Sequence, residues 1–298
     1  MKKIGLLLLL SLSVFSFANA QTKKTSKTTP KKTPIHRQTV VTKTNNGLVA
    51  KNQRVEITTN YGTMVVRLYD ETPQHRDNFI KLVTQGFYDS LLFHRVIKSF
   101  MIQGGDPLSK HADPNVQLGS GDNGYKIPAE FNKNLFHKKG ALAAARDNNP
   151  AQMSSGCQFY IVQGKKYTTA ELEQIINSRN MSRKQEILYA IYQADTTQAA
   201  ISALQNLGDQ DRIRKYMDEI AVITDKKYKE KYPEAEVVNM DQVQTYIDFG
   251  GAPHLDGAYT VFGEIESGYD VLDKIATAET RPGDRPVEDI WMKMRLLK

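Results

Sequence analysis

An arginine, an amide and two apolar side chains fall close together in the stretch FHRVIKSFMIQGGD at residues 93–106: Arg95, Phe100, Met101 and Gln103. In an extended chain successive side chains point to opposite faces. Strands broken by a short turn would thus present Arg95 and Gln103 on one surface, beside an apolar floor from Phe100 and Met101. Gly104 and Gly105 leave the backbone free to turn sharply or to be closely approached. This set holds no nucleophile. It offers hydrogen-bond donors from a guanidinium fork, a group charged at physiological pH, next to an apolar surface. On spacing alone Arg95 reads as a surface ion-pair partner, and Phe100, Met101, Tyr160 and Leu255 read as ordinary core. Other chemistries find less support. The chain shows no Ser-His-Asp pattern in a strand–turn–helix context, no H-E-x-x-H, no Walker-type phosphate loop and no cysteine cluster. His111 and Asp113 lack a third metal ligand at regular spacing, and the single Cys157 reads as a small buried side chain.

The elements that must position these residues are mostly strands. Val55, Ile57 and Thr59 alternate with polar residues, Asn60-Tyr61-Gly62 supplies a turn, and residues 63–69 return, the pattern of a hairpin. Thr72 and Pro73 predict a helix over 72–85, as N-cap and first helical residue. Phe79, Leu82 and Val83 form its apolar stripe, and Gly86 ends it. His75, in its first turns, is given a structural place and no chemistry. A loop rich in Gly, Asp, Asn and Pro follows over 106–128, of the kind that covers a site or wraps an edge. Residues 140–146 and 157–162 read as strands joined by the turn-rich 147–150. From about 164 to 250 the period changes: Ile213, Tyr216, Met217 and Ile220 fall at i, i+3, i+4 and i+7. A helical insertion between two strands is expected there. Its 12 Lys and Arg against 14 Asp and Glu are the balance of a solvated face. Strands resume at 258–263, and 269–275 reads as a short helix. Residues 289–297 alternate strictly, with Ile290, Met292, Met294 and Leu296 on one face. The pattern by itself gives a mainly β class with added helices.

The chain of 298 residues suits one large domain or two modest ones. Lys2-Lys3, the apolar run over 4–17 and Ala18-Asn19-Ala20 predict a signal peptide at 1–20. The run is short for a membrane span, so the mature chain is expected to be exported, periplasmic or secreted, with no stable membrane insertion. Residues 21–52 are rich in Thr, Lys and Pro and read as a basic disordered leader. Of the net charge of +7, Lys2 and Lys3 supply two units and residues 21–54 nine, which leaves −4 on residues 55–298. The basic character belongs to a tail, and no nucleic-acid partner is expected.

Four blocks in order resemble the signature of the cyclophilins, the peptidyl-prolyl cis/trans isomerases: FHRVIKSFMIQGGD, GALAAAR at 140–146, SGCQFYIV at 155–162 and LDGAYTVFG at 255–263. GYKIPAEF at 124–131 also resembles the bacterial branch of that family. Ordered blocks are far more specific than any single motif. The resemblance implies a closed eight-stranded antiparallel barrel over residues 53–298, capped by the helices at 72–85 and 269–275. The helical insertion at about 165–250 interrupts it. The resemblance implies neither cofactor nor metal.

Rotating an X–Pro bond needs no nucleophile. The bond turns unaided in roughly tens to hundreds of seconds because amide resonance opposes twisting. A catalyst must bind the twisted amide better than either planar isomer. Twisting returns a lone pair to the prolyl nitrogen, and a donor aimed there stabilises that state, more strongly where water is excluded. By the resemblance, Arg95 falls on the catalytic arginine and Gln103 on a position that hydrogen-bonds the substrate carbonyl. Phe100, Met101, Tyr160 and Leu255 fall on the proline pocket, and Gln158 on the groove lining. Ala145 and Arg146 lie along the peptide channel, where backbone groups can pair with an extended peptide. Tyr259 keeps an aromatic wall where eukaryotic relatives carry His. Tyr160 adds a hydroxyl where many relatives have Phe, and Arg146 replaces a common asparagine. His254 stands in place of a tryptophan important for cyclosporin binding, so weak sensitivity to that inhibitor is expected. The implied partners are proline-containing peptides and unfolded or folding envelope proteins; the oligomeric state stays open. A second reading is a binding or chaperone module of the same fold that uses the helical insertion and has little isomerase activity.

Overall fold

The computed structural model describes residues 51–233 and 239–297, which belong to one compact unit. The expected signal peptide at 1–20 and nearly all of the expected leader at 21–52 lie outside the described residues. The elements run β1 (Arg54–Thr59), β2 (Gly62–Leu68), α1 (Pro73–Thr84), β3 (Phe93–Ile97), β4 (Met101–Gly104), β5 (Lys126–Ile127), β6 (Ala141–Ala144), β7 (Ser154–Ser155) and β8 (Phe159–Val162). Then come α2 (Thr169–Tyr192), α3 (Asp195–Asn206), α4 (Gln210–Lys231), α5 (Met240–Asp248), β9 (Val261–Ser267), α6 (Tyr269–Ala276) and β10 (Met292–Leu297). Eight strands form one antiparallel sheet in the order β10-β1-β2-β9-β6-β8-β4-β3, and β5 pairs with β7 separately.

The closed barrel expected from the resemblance is corrected: the sheet is curled but its ladder stays open between β3 and β10. The two edges meet beside the start of β3, at the bridge of Leu92 with Trp291, where the Phe93 N–H donates to the Ile290 carbonyl, the Met292 N–H to the Leu91 carbonyl and the Ser90 N–H to the Met292 carbonyl. The physical reason lies in β3. Its register shifts between Phe93 and Arg95, and further along the Val96 N–H donates to the Asp284 carbonyl at 2.8 Å. The loop carrying Asp284, rather than β10, therefore takes a backbone donor of that edge.

Two-residue alternation divides the sheet between two cores. Ile102, Leu142, Ala144, Phe159 and Ile161 join Phe79 and Leu82 of α1 and Leu272 and Ile275 of α6 in the larger one. Their neighbours Met101, Ala141, Ala143, Tyr160 and Val162 form a second cluster with Tyr69, Ala252 and Val261. Phe100, Ala145, Leu255 and Tyr259 pack against this second cluster.

The start of α1 departs from expectation. Thr72 holds the N-cap position, but its buried hydroxyl makes no capping bond and has no partner among the described residues. The Glu130 carboxylate takes that role, accepting from the backbone N–H groups of Gln74 and His75 at 3.1 and 3.0 Å. Negative charge is favoured at a helix N-terminus. His75 is buried and spans Glu130 and Ser154 through its two ring nitrogens. The four helices α2–α5 leave and rejoin the sheet at one place. Lys165 and Gly251 exchange backbone hydrogen bonds of 3.3 and 3.0 Å there. A Cβ on Gly164, whose φ is +68°, would lie 2.4 Å from Gly251, so the close approach requires glycine.

Candidate active site

Strands β3 and β4 form a hairpin in which Arg95 stands opposite Gln103 and Ile97 opposite Met101. Met101 and Gln103 share a face of β4, as residues two apart in a strand must. A cavity of about 200 Å³ opens above them, lined by Arg95, Phe100, Met101, Gln103, Ala145, Arg146, Tyr160, Leu255 and Tyr259. Of the ten residues singled out in the sequence, only Gln158 is absent from this lining. It is buried one layer behind and accepts from Gln103 Nε2 at 3.0 Å through its Oε1.

A directional chain of donors orients the polar wall. Gln158 Nε2 donates to the carbonyls of Gly119 and Gly121 at 2.9 and 2.7 Å, which turns its oxygen toward Gln103. Gln103 in turn presents its own oxygen to Arg95 Nη1 at 3.4 Å. Arg95 Nε donates to Asp284 at 3.2 Å, a contact in which both side chains are half-exposed. Two sides of the guanidinium are thus held, and its Nη2 hydrogens have no partner among the described residues. Gln103 keeps one amide hydrogen for a further acceptor.

The apolar wall is backed by a polar network. The Tyr160 hydroxyl lies 2.9 Å from His137 Nε2, and His137 Nδ1 lies 2.9 Å from Asp256 Oδ1. The backbone N–H of His137 donates to the same Oδ1, and the Tyr246 hydroxyl of α5 donates to Asp256 Oδ2 at 2.7 Å. With the Nδ1 proton facing the carboxylate, Nε2 is left to accept from Tyr160. Burial first, then Tyr259 and Asp256, pushes the Tyr160 hydroxyl well above the usual phenol range. It therefore stays a protonated donor. Tyr259 meets the Tyr160 ring edge-on at 6.0 Å, and Phe100 tilts on His254 at 5.3 Å. Arg146 lies over the Tyr259 ring at 4.7 Å and donates from Nε to the Ala258 carbonyl at 2.9 Å.

Ala145 contributes its methyl group rather than its peptide group. Its N–H donates to the Gln158 carbonyl and its C=O accepts from Ser155 N–H. Arg146 has no backbone partner among the described residues, so it alone of the two offers peptide groups to a ligand. Cys157 is buried, and burial pushes its thiol up to about 11, as suits an inert side chain. Sequence reasoning missed Asp284, His137 and Tyr246. Asp284 is 189 positions from Arg95, and no local pattern links them.

The fold and cavity define a mainly β protein whose site sets a guanidinium beside an apolar pocket. The sequence model of the family described as "Cyclophilin type peptidyl-prolyl cis-trans isomerase/CLD" matches residues 54–175 and 175–295. The chain belongs to that family and is a cyclophilin-type peptidyl-prolyl cis-trans isomerase by class. It is 28% identical over 233 residues to a putative peptidyl-prolyl cis-trans isomerase of Staphylococcus saprophyticus, covering 78% of this chain and 85% of that one. It is 30% identical over 240 residues to a putative bifunctional phosphatase/peptidyl-prolyl cis-trans isomerase of Streptococcus pyogenes, covering 80% of this chain but spanning only 37% of the relative. Among solved structures, a cyclophilin-type isomerase of Cryptosporidium parvum aligns with a TM-score of 0.47 and 18% identity, over 83% of this chain and 99% of that one.

Proposed function

We propose that the cavity seats the prolyl ring of an X–Pro peptide against Phe100, Met101, Tyr160, Leu255 and Tyr259, and that Arg95 acts on the turning bond. The convergence of Arg95, Gln103 and these apolar side chains on one cavity of about 200 Å³ carries the reading. Pockets for drug-sized ligands run to roughly 300–1,000 Å³; this one suits a single side chain. Asp284 and Gln103 hold the guanidinium so that its free Nη2 hydrogens can meet the prolyl nitrogen as it regains its lone pair. That interaction is absent in the planar isomers, so it lowers the barrier without equal ground-state binding. The second amide hydrogen of Gln103 is placed for the substrate carbonyl. The substrates are proline-containing segments of exported proteins in the course of folding. The signal-peptide pattern at 1–20 supports export to the periplasm or beyond.

The test is the isomerisation rate of a short Ala-Pro peptide, followed by exchange NMR, with the wild-type chain and Arg95→Ala. Removing one preorganised donor is expected to lower kcat/KM about 100-fold or more, with an unchanged circular dichroism spectrum. A folded variant that retains full turnover would refute the role of Arg95. The binding-module reading draws on exposed apolar side chains of the insertion, such as Met181, Tyr189 and Val222. It requires a folded wild-type chain with little turnover of the peptide.

A further inference from the structure

The proline cavity continues into a groove walled by the helical insertion. Arg146 lines both the cavity and a groove of about 640 Å³ beyond it. Tyr259 lines both the cavity and an adjoining groove of about 700 Å³. The two grooves share Arg179 and Arg183 of α2, and Lys231 and Tyr232 at the end of α4. These elements are held close to the pocket loop. Arg179 Nη1 reaches the Asp256 carbonyl at 3.5 Å, and a Cβ on Gly257 would come within 2.8 Å of Arg183 Nη2.

Among the described residues, the groove carries more cations than its own carboxylates balance. Arg179 and Arg183 stand one turn apart on the same face of α2, a like-charge spacing that destabilises a helix. None of Arg146, Arg179, Arg183 and Lys231 forms a salt bridge among the described residues. Arg179 Nε is buried and has no partner among the described residues. Arg183 lies over the Tyr232 ring at 4.5 Å, and burial followed by the nearby Arg179 charge lowers its hold on its proton. The carboxylates lining the groove are Glu186 and Asp256, so its four cations exceed its anions by two, and both oxygens of Asp256 accept hydrogen bonds from His137 and Tyr246.

We infer that this groove is an extended substrate subsite that selects peptides bearing an acidic residue beside the X–Pro bond. Arg146 joins the two binding regions, so one extended peptide can place its proline in the cavity and a carboxylate between Arg179 and Arg183. The inference rests on the isomerase reading above and goes beyond it by assigning specificity to the insertion.

The experiment compares kcat/KM of the full chain for three Ala-Pro peptides that differ only by Glu, Gln or Lys, placed in turn at positions on each side of the proline. A Glu-over-Gln preference of about 5-fold is expected at one or more positions, shrinking as salt is raised. The double variant Arg179→Gln/Arg183→Gln should reduce the ratio of Glu-peptide to Gln-peptide turnover below about 2-fold. The control Arg214→Gln/Lys215→Gln, with the same charge change outside the groove, should keep it. Charge reversal by Arg183→Glu should shift the preference toward Lys. Absence of a Glu preference in the wild type, or its survival in the groove double variant, overturns the inference. If the folded wild type turns over none of the peptides, the isomerase reading fails, and titration of the same fluorescently labelled peptides still decides whether the groove prefers Glu.

Discussion

The sheet and the helical insertion are built to different densities. The 12-residue α1 buries four side chains against the sheet, whereas the 24-residue α2 buries two, Leu172 and Ile187. The sheet core gathers Phe93, Phe159, Ile161 and Leu142 at almost no exposure, while Tyr189, Leu207 and Val222 of the insertion stay largely in solvent. The cavity holding Arg95 draws its lining from β3, β4, β8 and the segments flanking β4, β6 and β9. The insertion meets it through a few points: Tyr246 on Asp256, Arg179 on the Asp256 carbonyl, and the Lys165–Gly251 junction. Regions with few buried apolar contacts open locally at low cost. The lesson is a difference in packing, with a dense sheet that holds the cavity's lining in place and a looser helical wall beside it.

The sharpest way to break this comparison is to cut a large side chain from each region. Phe159→Ala removes a ring packed edge-on against Phe79, Tyr88 and Phe93 and is expected to cost about 3–5 kcal/mol. Ile201→Ala in α3 should cost about 2 kcal/mol, the low end for such truncations. Urea unfolding measures both, and equal losses would erase the contrast.

Acid provides the next test. All six histidines lie outside residues 165–250, and the buried His94 has its imidazole pushed down to about 4 by burial, against the pull of Asp106. His75 is lowered too, again chiefly by burial. Both are thus neutral when folded at a pH where the unfolded chain binds the proton. Stability should be full above pH 6.5 and decline as pH falls toward 4, with His94 alone accounting for about 3 kcal/mol. Hydrogen exchange across this range should show the strands losing protection; a pH-independent sheet would contradict the assignment.

The smallest effect sharpens the boundary between the two regions. Tyr160→Phe keeps the ring but removes the partner of His137 Nε2 in a fully buried place. A cost of about 1–3 kcal/mol is expected, with kcat/KM for an Ala-Pro peptide changed less than about 3-fold because the ring still walls the pocket. Thermal unfolding and turnover of the same preparation separate the two; a large loss of kcat at full stability would show that the hydroxyl acts on the substrate.

Much of the site was legible in the chain because a strand has a two-residue period. Met101 and Gln103 had to share a face, and Phe159 and Ile161 had to oppose Tyr160 and Val162. The helical spacing over 213–220 likewise marked α4. Gln158 lies one layer behind the lining expected for it, because alternation gives the face of a side chain and not its depth. The sequence pattern does not show that the peptide groups of Ala145 are taken, because its partners, Gln158 and Ser155, are set by how the strands curl.

What the sequence by itself determined is local: the alternation that sorts side chains between two cores, and the ordered blocks that mark this family and its cavity residues. What only the tertiary structure decided depends on residues far apart in the chain. Asp284 holds Arg95 and takes the edge of β3, so the sheet stays open. His137, Asp256 and Tyr246 converge behind Tyr160, and two arginines of α2 come to face the pocket loop. Backbone geometry repeats within a few residues, whereas ion pairs and buried hydrogen bonds form wherever the folded chain happens to close upon itself.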